Sequence, residues 1–302
     1  MKLFPKIKED IKKIKYFGIK CVLFSICYKI TKLSFFAKLK HKSILNYLNN
    51  NLKEYLNDDI VEVQNSRIED NSNIWVFWMQ GFENAPELVK KCLHSIKCNC
   101  GRHPVIELTK DNIEEYITVP KVIKERLDSK AISLAQFSDY IRLTLLDKYG
   151  GIWMDSTMFL AGNFDEHMKD FSWYSIKNYP CKTIYVSDCK WTAFFMACGI
   201  DNSLVKKCRS LLIHYFEKNE MLIDYFLIDY IFSLVYTKYN WARDIINHVP
   251  NNNLNVYWLK DNLGEKFNRK EWDNITKNSH LFKLNHRLDT STYDKYSYYN
   301  II

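Results

Sequence analysis

The chain has 302 residues, 47% of them hydrophobic, enough for one large domain with a substantial core plus an appendage. Its formal net charge of +8 is unevenly spread: residues 1–42 hold twelve Lys against two acidic residues, a net of +10, which leaves the remainder near −2. That distribution excludes the larger part of the chain as a nucleic-acid binder.

Residues 1–42 mix lysines with apolar residues, and Phe17 to Cys27 is the most apolar part. Lys20 and Lys29 bracket only about eight uncharged residues, far short of the roughly 20 that span a bilayer. No small-residue cleavage site of the secretory type follows. Two readings stand for this segment: a basic amphipathic helix on an anionic membrane surface, or a helix packed on the main domain with a solvated lysine face. A helix over about 44–56 and a polar stretch over 57–73 come next. The stretch marks a boundary between a basic helical N-terminal extension, 1–72, and a main domain, 73–302.

Ile74 to Trp78 is apolar, aromatic and β-branched, the composition of a strand. Gln80-Gly81 turns the chain, Pro86 opens a helix to about Ile96, and Pro104 to Leu108 is a second strand. Strand, helix and strand in this order predict a parallel α/β sheet. Two short helices, 111–116 and 121–130, lead to the central stretch SDYIRLTLLDKYGGIWMDST, 138–157. There Asp139 and Arg142 share a helix face, Gly150-Gly151 closes the helix, and Ile152 to Met154 is a short buried strand. Asp155 stands where that strand ends, which in open α/β sheets is where ligands bind. An ordinary core helix with a surface ion pair is the bland alternative for these residues.

Beyond it, Ser156 to Leu160 continues as a strand or bulge, and 173–176 and 191–198 read as strands around a variable loop, 177–190. Helices are expected over 203–218 and 221–238. The second carries Asp224 and Asp229 amid apolar neighbours, about 140° apart on a helix. Asp229 is the candidate to face the site, and Asp224 suits a helix-start hydrogen bond. Late in the chain, Lys283, His286 and Arg287 are candidates to meet phosphate charge, with a solvated basic patch as the alternative. Nine Cys, an odd number without a regular framework, favour a reduced, cytosolic setting. Cys92, Cys98 and Cys100, with His94 and His103, lack the spacing of a zinc site and read as buried thiols.

The order Ser138-Asp139, Arg142, Gly150-Gly151, Asp155 resembles the sugar-binding region of glycosyltransferase family 32 and its relatives, in which a D-x-D motif follows the glycine pair. Among the relatives, the capsular polysaccharide synthesis proteins are similar over about 74–287. Thr157 stands where the second Asp of D-x-D would be. The resemblance implies a glycosyltransferase-A-like nucleotide-binding fold with a mostly parallel central sheet. It also implies a retaining, front-face sugar transfer from a nucleoside diphosphate sugar, such as a UDP-sugar, to a growing capsular or surface glycan, including a lipid-linked acceptor. By the same resemblance Trp78, with Gln80 after it, lies at the nucleotide base, a core Trp being the alternative for Trp78; Gly151 is a substrate-binding candidate, and Asp139 and Arg142 hold sugar or ribose hydroxyls. Asp155 and Thr157 would hold a divalent cation, Mn2+ or Mg2+, and Asp155 and Asp229 are the expected catalytic carboxylates. Work at the cytoplasmic face of the membrane fits the basic N-terminus. A non-catalytic carbohydrate- or nucleotide-sugar-binding protein is the alternative, given the missing second Asp.

Overall fold

The computed structural model describes residues 3–58, 65–162, 166–181 and 184–302. Residues 59–64, within the expected boundary stretch, and 182–183, within the expected variable loop, lie outside the described residues. Four helices come first: α1 (Leu3–Phe17), α2 (Ile19–Thr31), α3 (Ser34–Asn51) and α4 (Lys53–Asn57). The α/β part then alternates β1 (Ile74–Phe77), α5 (Glu87–Asn99) and β2 (Val105–Leu108). It continues with α6 (Ile113–Tyr116), α7 (Lys121–Asp128), α8 (Leu134–Tyr149), β3 (Gly151–Met154) and β4 (Met158–Leu160). After it come β5 (Trp173–Ser175), β6 (Phe195–Cys198), α9 (Ser203–Lys218), α10 (Leu227–Lys238) and α11 (Asn240–His248). Last are α12 (Trp258–Asn262), α13 (Arg269–Thr276), β7 (Leu281–Lys283) and α14 (Tyr298–Ile301).

The central sheet has the order β2-β1-β3-β6-β5. β1 runs parallel to β2 and β3, and β6 runs antiparallel to both β3 and β5. Four strands therefore point one way and β6 the other, the mostly parallel α/β sheet expected of the sequence. β1 and β3 are buried along their whole lengths, which is why they are continuous apolar runs with no alternation. β4 and β7 form a separate two-stranded ribbon in which Met158 lies opposite Lys283.

α8 is the buried axis of the domain. Ser133 and Gln136 close a capping box at its start, and Gly150 ends it with its N–H on the Leu146 carbonyl. Gly151 follows at φ +93°, and a Cβ there would stand 2.6 Å from the Asn73 carbonyl oxygen. Only glycine lets β3 approach the entry to β1 this closely.

α10 starts at Leu227, six residues later than the sequence pattern predicts. Asp224 accepts the Phe226 N–H at 3.1 Å, a local bond that competes with helix formation and holds 221–226 as an entry turn. The strand expected over 191–198 is confined to Phe195–Cys198. Trp191 and Thr192 are drawn out of the ladder: the Trp191 indole donates to Asp229, and the Thr192 N–H donates to Ser175 Oγ. The thiols also differ from expectation. Cys92 is buried, but Cys98 is exposed beside His94, and Cys181 and Cys189 form a disulfide across the loop that contains them.

The N-terminal helices pack on the α/β part. Phe17, Cys21, Ile44 and Leu48 belong to its main core. Lys40 pairs with Asp224 at 2.6 Å, His41 meets the Tyr230 hydroxyl at 2.8 Å, and the Tyr47 hydroxyl donates to Asn219 at 2.7 Å.

The glycine at 151 yields a stability prediction. Gly151→Ala must adopt a left-handed backbone and push Asn73 aside, so it should cost at least roughly 1–3 kcal/mol. Gly101→Ala, at φ +62° with nothing within 4 Å of its Cβ, carries the backbone cost alone. Thermal unfolding should show a clearly larger fall in Tm for Gly151→Ala; equal falls would mean that the close approach has no energetic weight.

Candidate functional site

The sheet delivers Asp155 at the carboxyl end of β3, its N–H bound to the Phe194 carbonyl at 2.9 Å. Three donors converge on its carboxylate. Oδ1 accepts Arg142 Nη2 at 2.9 Å and the Trp153 indole at 2.9 Å, and Oδ2 accepts Lys283 Nζ at 2.6 Å. Arg142 also donates to Asp139 at 2.7 Å, so one guanidinium bridges a helix carboxylate and a strand-end carboxylate. The guanidinium lies 5.0 Å from the centre of the Trp153 ring, a cation–π contact that fixes its plane. Lys283, arriving from β7, donates to Thr157 Oγ1 at 2.8 Å and stands over the Phe194 ring.

These contacts set the charge states. Burial pushes the Asp155 carboxyl up, but the charges of Lys283 and Arg142 and the hydrogen bonds from Lys283 and Trp153 outweigh it and hold the group below the usual carboxylate range. Asp139 goes the other way, to about 7, because burial and the nearby Asp229 and Asp155 charges exceed the help from Arg142. Asp229 is pushed up to about 6, chiefly by burial, against the Trp191 hydrogen bond and the Arg142 charge. An acid whose pKa is lowered thus stands beside two whose pKa values are raised, a pattern typical of functional clefts.

The structure brings Asp139, Arg142, Asp155, Thr157 and Lys283 into one cluster, with Asp229 within electrostatic reach of Asp139 and Arg142. Asp224 faces Lys40 instead. Trp78 is half-buried and meets the His286 ring edge-on at 5.4 Å, so the two form a small wall; burial and the Arg287 and Lys283 charges lower the His286 pKa. Arg287 is exposed, and Gln80 is exposed with its carbonyl holding Asn84. Gly151 is not brought to the cluster: it begins β3, at the opposite end of the strand from Asp155. Pattern reading missed Trp153, Trp191 and Tyr225. Trp153 shares strand parity with Asp155, which was the available signal. Tyr225 as a residue is 58% exposed, but its hydroxyl end is partly enclosed, and that enclosure with the Asp139 and Asp155 charges raises the hydroxyl pKa. A cavity of about 580 Å3 lined by Lys91, His94, Trp272 and Ile302 includes none of the cluster residues, so the chemistry marks the site and the volume does not.

For the expected divalent cation, the donors at positions 155 and 157 are one carboxylate and one hydroxyl, both already engaged by Lys283. Hard divalent cations seek about six oxygen ligands, of which substrate phosphates and waters supply several at nucleotide sites, so the protein's share is one or two free carboxylates. Among the described residues no group of three or more His, Cys, Asp and Glu is placed to hold a metal. The donor set as it stands does not suit one.

Comparison with known proteins adds three findings. The model of the family described as capsular polysaccharide synthesis protein matches residues 25–302. An O-glycosyltransferase of Annulohypoxylon truncatum, braB, is 26% identical over 121 residues, which covers 37% of this chain and 28% of that protein. The match thus spans little more than a quarter of the curated relative's length. Among solved structures, PaToxG Glycosyltransferase superposes with a TM-score of 0.41 at 16% identity, over 80% of this chain and 94% of that one.

The raised Asp229 pKa has a checkable sign. Its folded value near 6 lies above the ordinary 3.8, so the folded state holds the proton more tightly. Folding therefore loses stability as pH climbs from about 4 to about 6, and the loss is complete above that. Asp229→Asn keeps an oxygen for Trp191 without the charge. Its Tm relative to wild type should rise by a few °C, on the order expected for 1 kcal/mol, between about pH 4.5 and 7.5. A pH-independent difference would place the burial penalty elsewhere.

Proposed function

The chain belongs to the capsular polysaccharide synthesis protein family, and on that premise we propose that it is a glycosyltransferase. Its donor is a nucleoside diphosphate sugar, with a uridine nucleotide as the first choice, and its acceptor is a hydroxyl of a growing surface glycan. The observation that carries this reading is the Arg142-bridged pair Asp139 and Asp155 at the carboxyl end of β3, with Lys283 beside it. Carboxylates suit sugar hydroxyls, cations suit a diphosphate, and the half-buried Trp78 edge suits a base.

The chain's own residues divide the work as follows. Asp139 and Arg142 orient the sugar through its hydroxyls. Asp155 holds the two cations in place and offers an acceptor to the donor. Asp229, titrating near neutrality, is poised to take a hydrogen bond from the incoming acceptor hydroxyl. The leaving diphosphate can accept the acceptor's proton on the same face of the sugar, which gives retention at the anomeric carbon.

The acceptor's setting fits a membrane surface. No described helix is long and apolar enough to cross a membrane. On α2, however, Ile19, Leu23 and Ile30 are 61%, 48% and 77% exposed and fall within about 40° of one another around the helix. Exposed Lys20 and Lys29 flank that stripe on either side. We assign this face to the anionic cytoplasmic leaflet, where apolar side chains enter the interface and lysines meet headgroups.

Two experiments test these readings. Purified protein incubated with UDP-, GDP-, CMP- and dTDP-sugars should be stabilised by one donor and hydrolyse it slowly. Asp155→Asn should cut that hydrolysis by about 100-fold or more. Donor binding with no turnover by any form would favour a binding protein, and neither binding nor turnover would remove the reading. For the membrane face, Ile19→Ser, Leu23→Ser and Ile30→Ser combined should abolish sedimentation with vesicles containing phosphatidylglycerol while leaving Tm intact. Unchanged sedimentation would refute the assignment.

A further inference from the structure

A cation of the chain itself stands at the position expected of a metal ion. Lys283 Nζ lies between Asp155 Oδ2, at 2.6 Å, and Thr157 Oγ1, at 2.8 Å. These are the first and third positions of the triplet that, with two aspartates, would clasp a metal ion. The position is not accidental. Lys283 ends β7, and the β4–β7 ribbon sets Met158 directly opposite it. Beyond that pair the Leu284 N–H binds the Thr157 carbonyl at 2.9 Å. The Lys283 N–H binds the Val256 carbonyl at 2.7 Å, so the backbone on both sides of this residue is held.

The neutral residue at 157 makes this arrangement work. Asp155 Oδ1 is filled by Arg142 and Trp153, which leaves Oδ2 as the free face of the carboxylate, and Lys283 takes it. A divalent cation there would compete directly with the Lys283 ammonium for Asp155 Oδ2, with Arg142 already shared between Asp155 and Asp139, and a second aspartate at 157 that could favour the metal is missing. Thr157 instead supplies an uncharged acceptor for a second ammonium N–H. An ammonium has three N–H donors. Two are spent on Asp155 and Thr157, and the third remains for a ligand, with the Lys283 side chain 19% exposed and so reachable from the cleft.

We infer that the Lys283 ammonium does the work of a divalent cation in this site, and that donor binding and sugar transfer need no metal. The inference rests on the glycosyltransferase reading. In the step, the bond between the anomeric carbon and the diphosphate oxygen breaks, and its electron pair goes to that oxygen. The acceptor hydroxyl oxygen forms the new bond to the anomeric carbon, and its proton passes to the departing diphosphate. Lys283 keeps its proton throughout and donates a hydrogen bond to the oxygen on which charge develops. Asp155 and Thr157 are positioning residues for the ammonium as well as contacts of the cleft.

The test uses the full chain and two readouts. Mn2+ titration followed by electron paramagnetic resonance should show no stoichiometric site in the wild type, with or without UDP. The double variant Thr157→Asp, Lys283→Ala should gain one. Donor hydrolysis by the wild type should be the same in EDTA and in millimolar Mn2+. Lys283→Met should lose about 100-fold or more with a retained fold, and Lys283→Arg should recover part of the loss. Hydrolysis by the double variant should require Mn2+. Wild-type hydrolysis abolished by EDTA and restored by Mn2+ would overturn the inference while leaving the glycosyltransferase intact. A stoichiometric Mn2+ site in the wild type that Asp155→Asn removes would overturn it even if no donor were turned over. Failure of every donor to bind or react, with or without metal, would instead remove the glycosyltransferase reading and the role of Lys283 with it.

Discussion

Arg142 is the constraint on which the site depends. Its side chain is 4% exposed, and a charge so far out of water is tolerable only when it is paired and hydrogen-bonded. Both partners must therefore be in place. Asp139 is one helical turn away and comes with the helix. Asp155 is thirteen residues on and arrives only because α8 stops at Gly150 and the chain doubles back as β3. The glycine pair is thus as much part of the site as the carboxylates, although Gly151 itself is at the far end of the strand.

The tryptophan two residues before Asp155 completes this geometry. Alternate residues of a strand share a face. Trp153 and Asp155 therefore look the same way, and the indole N–H reaches Asp155 Oδ1 while the ring lies along the guanidinium. The result is a rigid carboxylate with one oxygen filled by fixed donors and the other aimed at Lys283. Replacing Arg142 by lysine would keep the charge but could not bridge two carboxylates in one plane, so the two residue types are not exchangeable here.

Much of this was legible from local pattern. Asp139, Arg142, the glycine pair and Asp155 fall within one stretch, and helix period and strand-end position suffice to bring them together. The strands β1, β2 and β3 were readable because their residues are largely apolar. The start of α10 was not, because the Asp224 side chain binds the Phe226 N–H and holds back a helix whose apolar period begins earlier. Trp191 looked like strand for the same reason that it is buried, and nothing in its neighbours signals that its indole turns to Asp229. Lys283 could be chosen as a basic residue, but its partner could not. Its place beside Asp155 depends on the pairing of β4 with β7, a contact across more than a hundred residues that no local period encodes.

The N-terminal helices illustrate the same limit from the other side. Composition separates residues 1–42 sharply, since the chain's excess positive charge is there. Packing does not follow that division. α3 buries Ile44 and Leu48 in the main core and binds the turn before α10 through Lys40 and Asp224. His41 bonds to Tyr230, the residue next to Asp229, so the helix that carries a candidate catalytic acid is braced from behind by the extension. Removing those helices would uncover apolar surface and disturb α10 together with any surface they present. The exposed stripe of α2 can be altered without that consequence, because Ile19, Leu23 and Ile30 point away from the core that Cys21 and Phe17 enter. Charge marks where this segment meets its surroundings, and burial marks where it belongs to the fold: Cys21, 7% exposed, lies across the helix from the stripe of Ile19, Leu23 and Ile30.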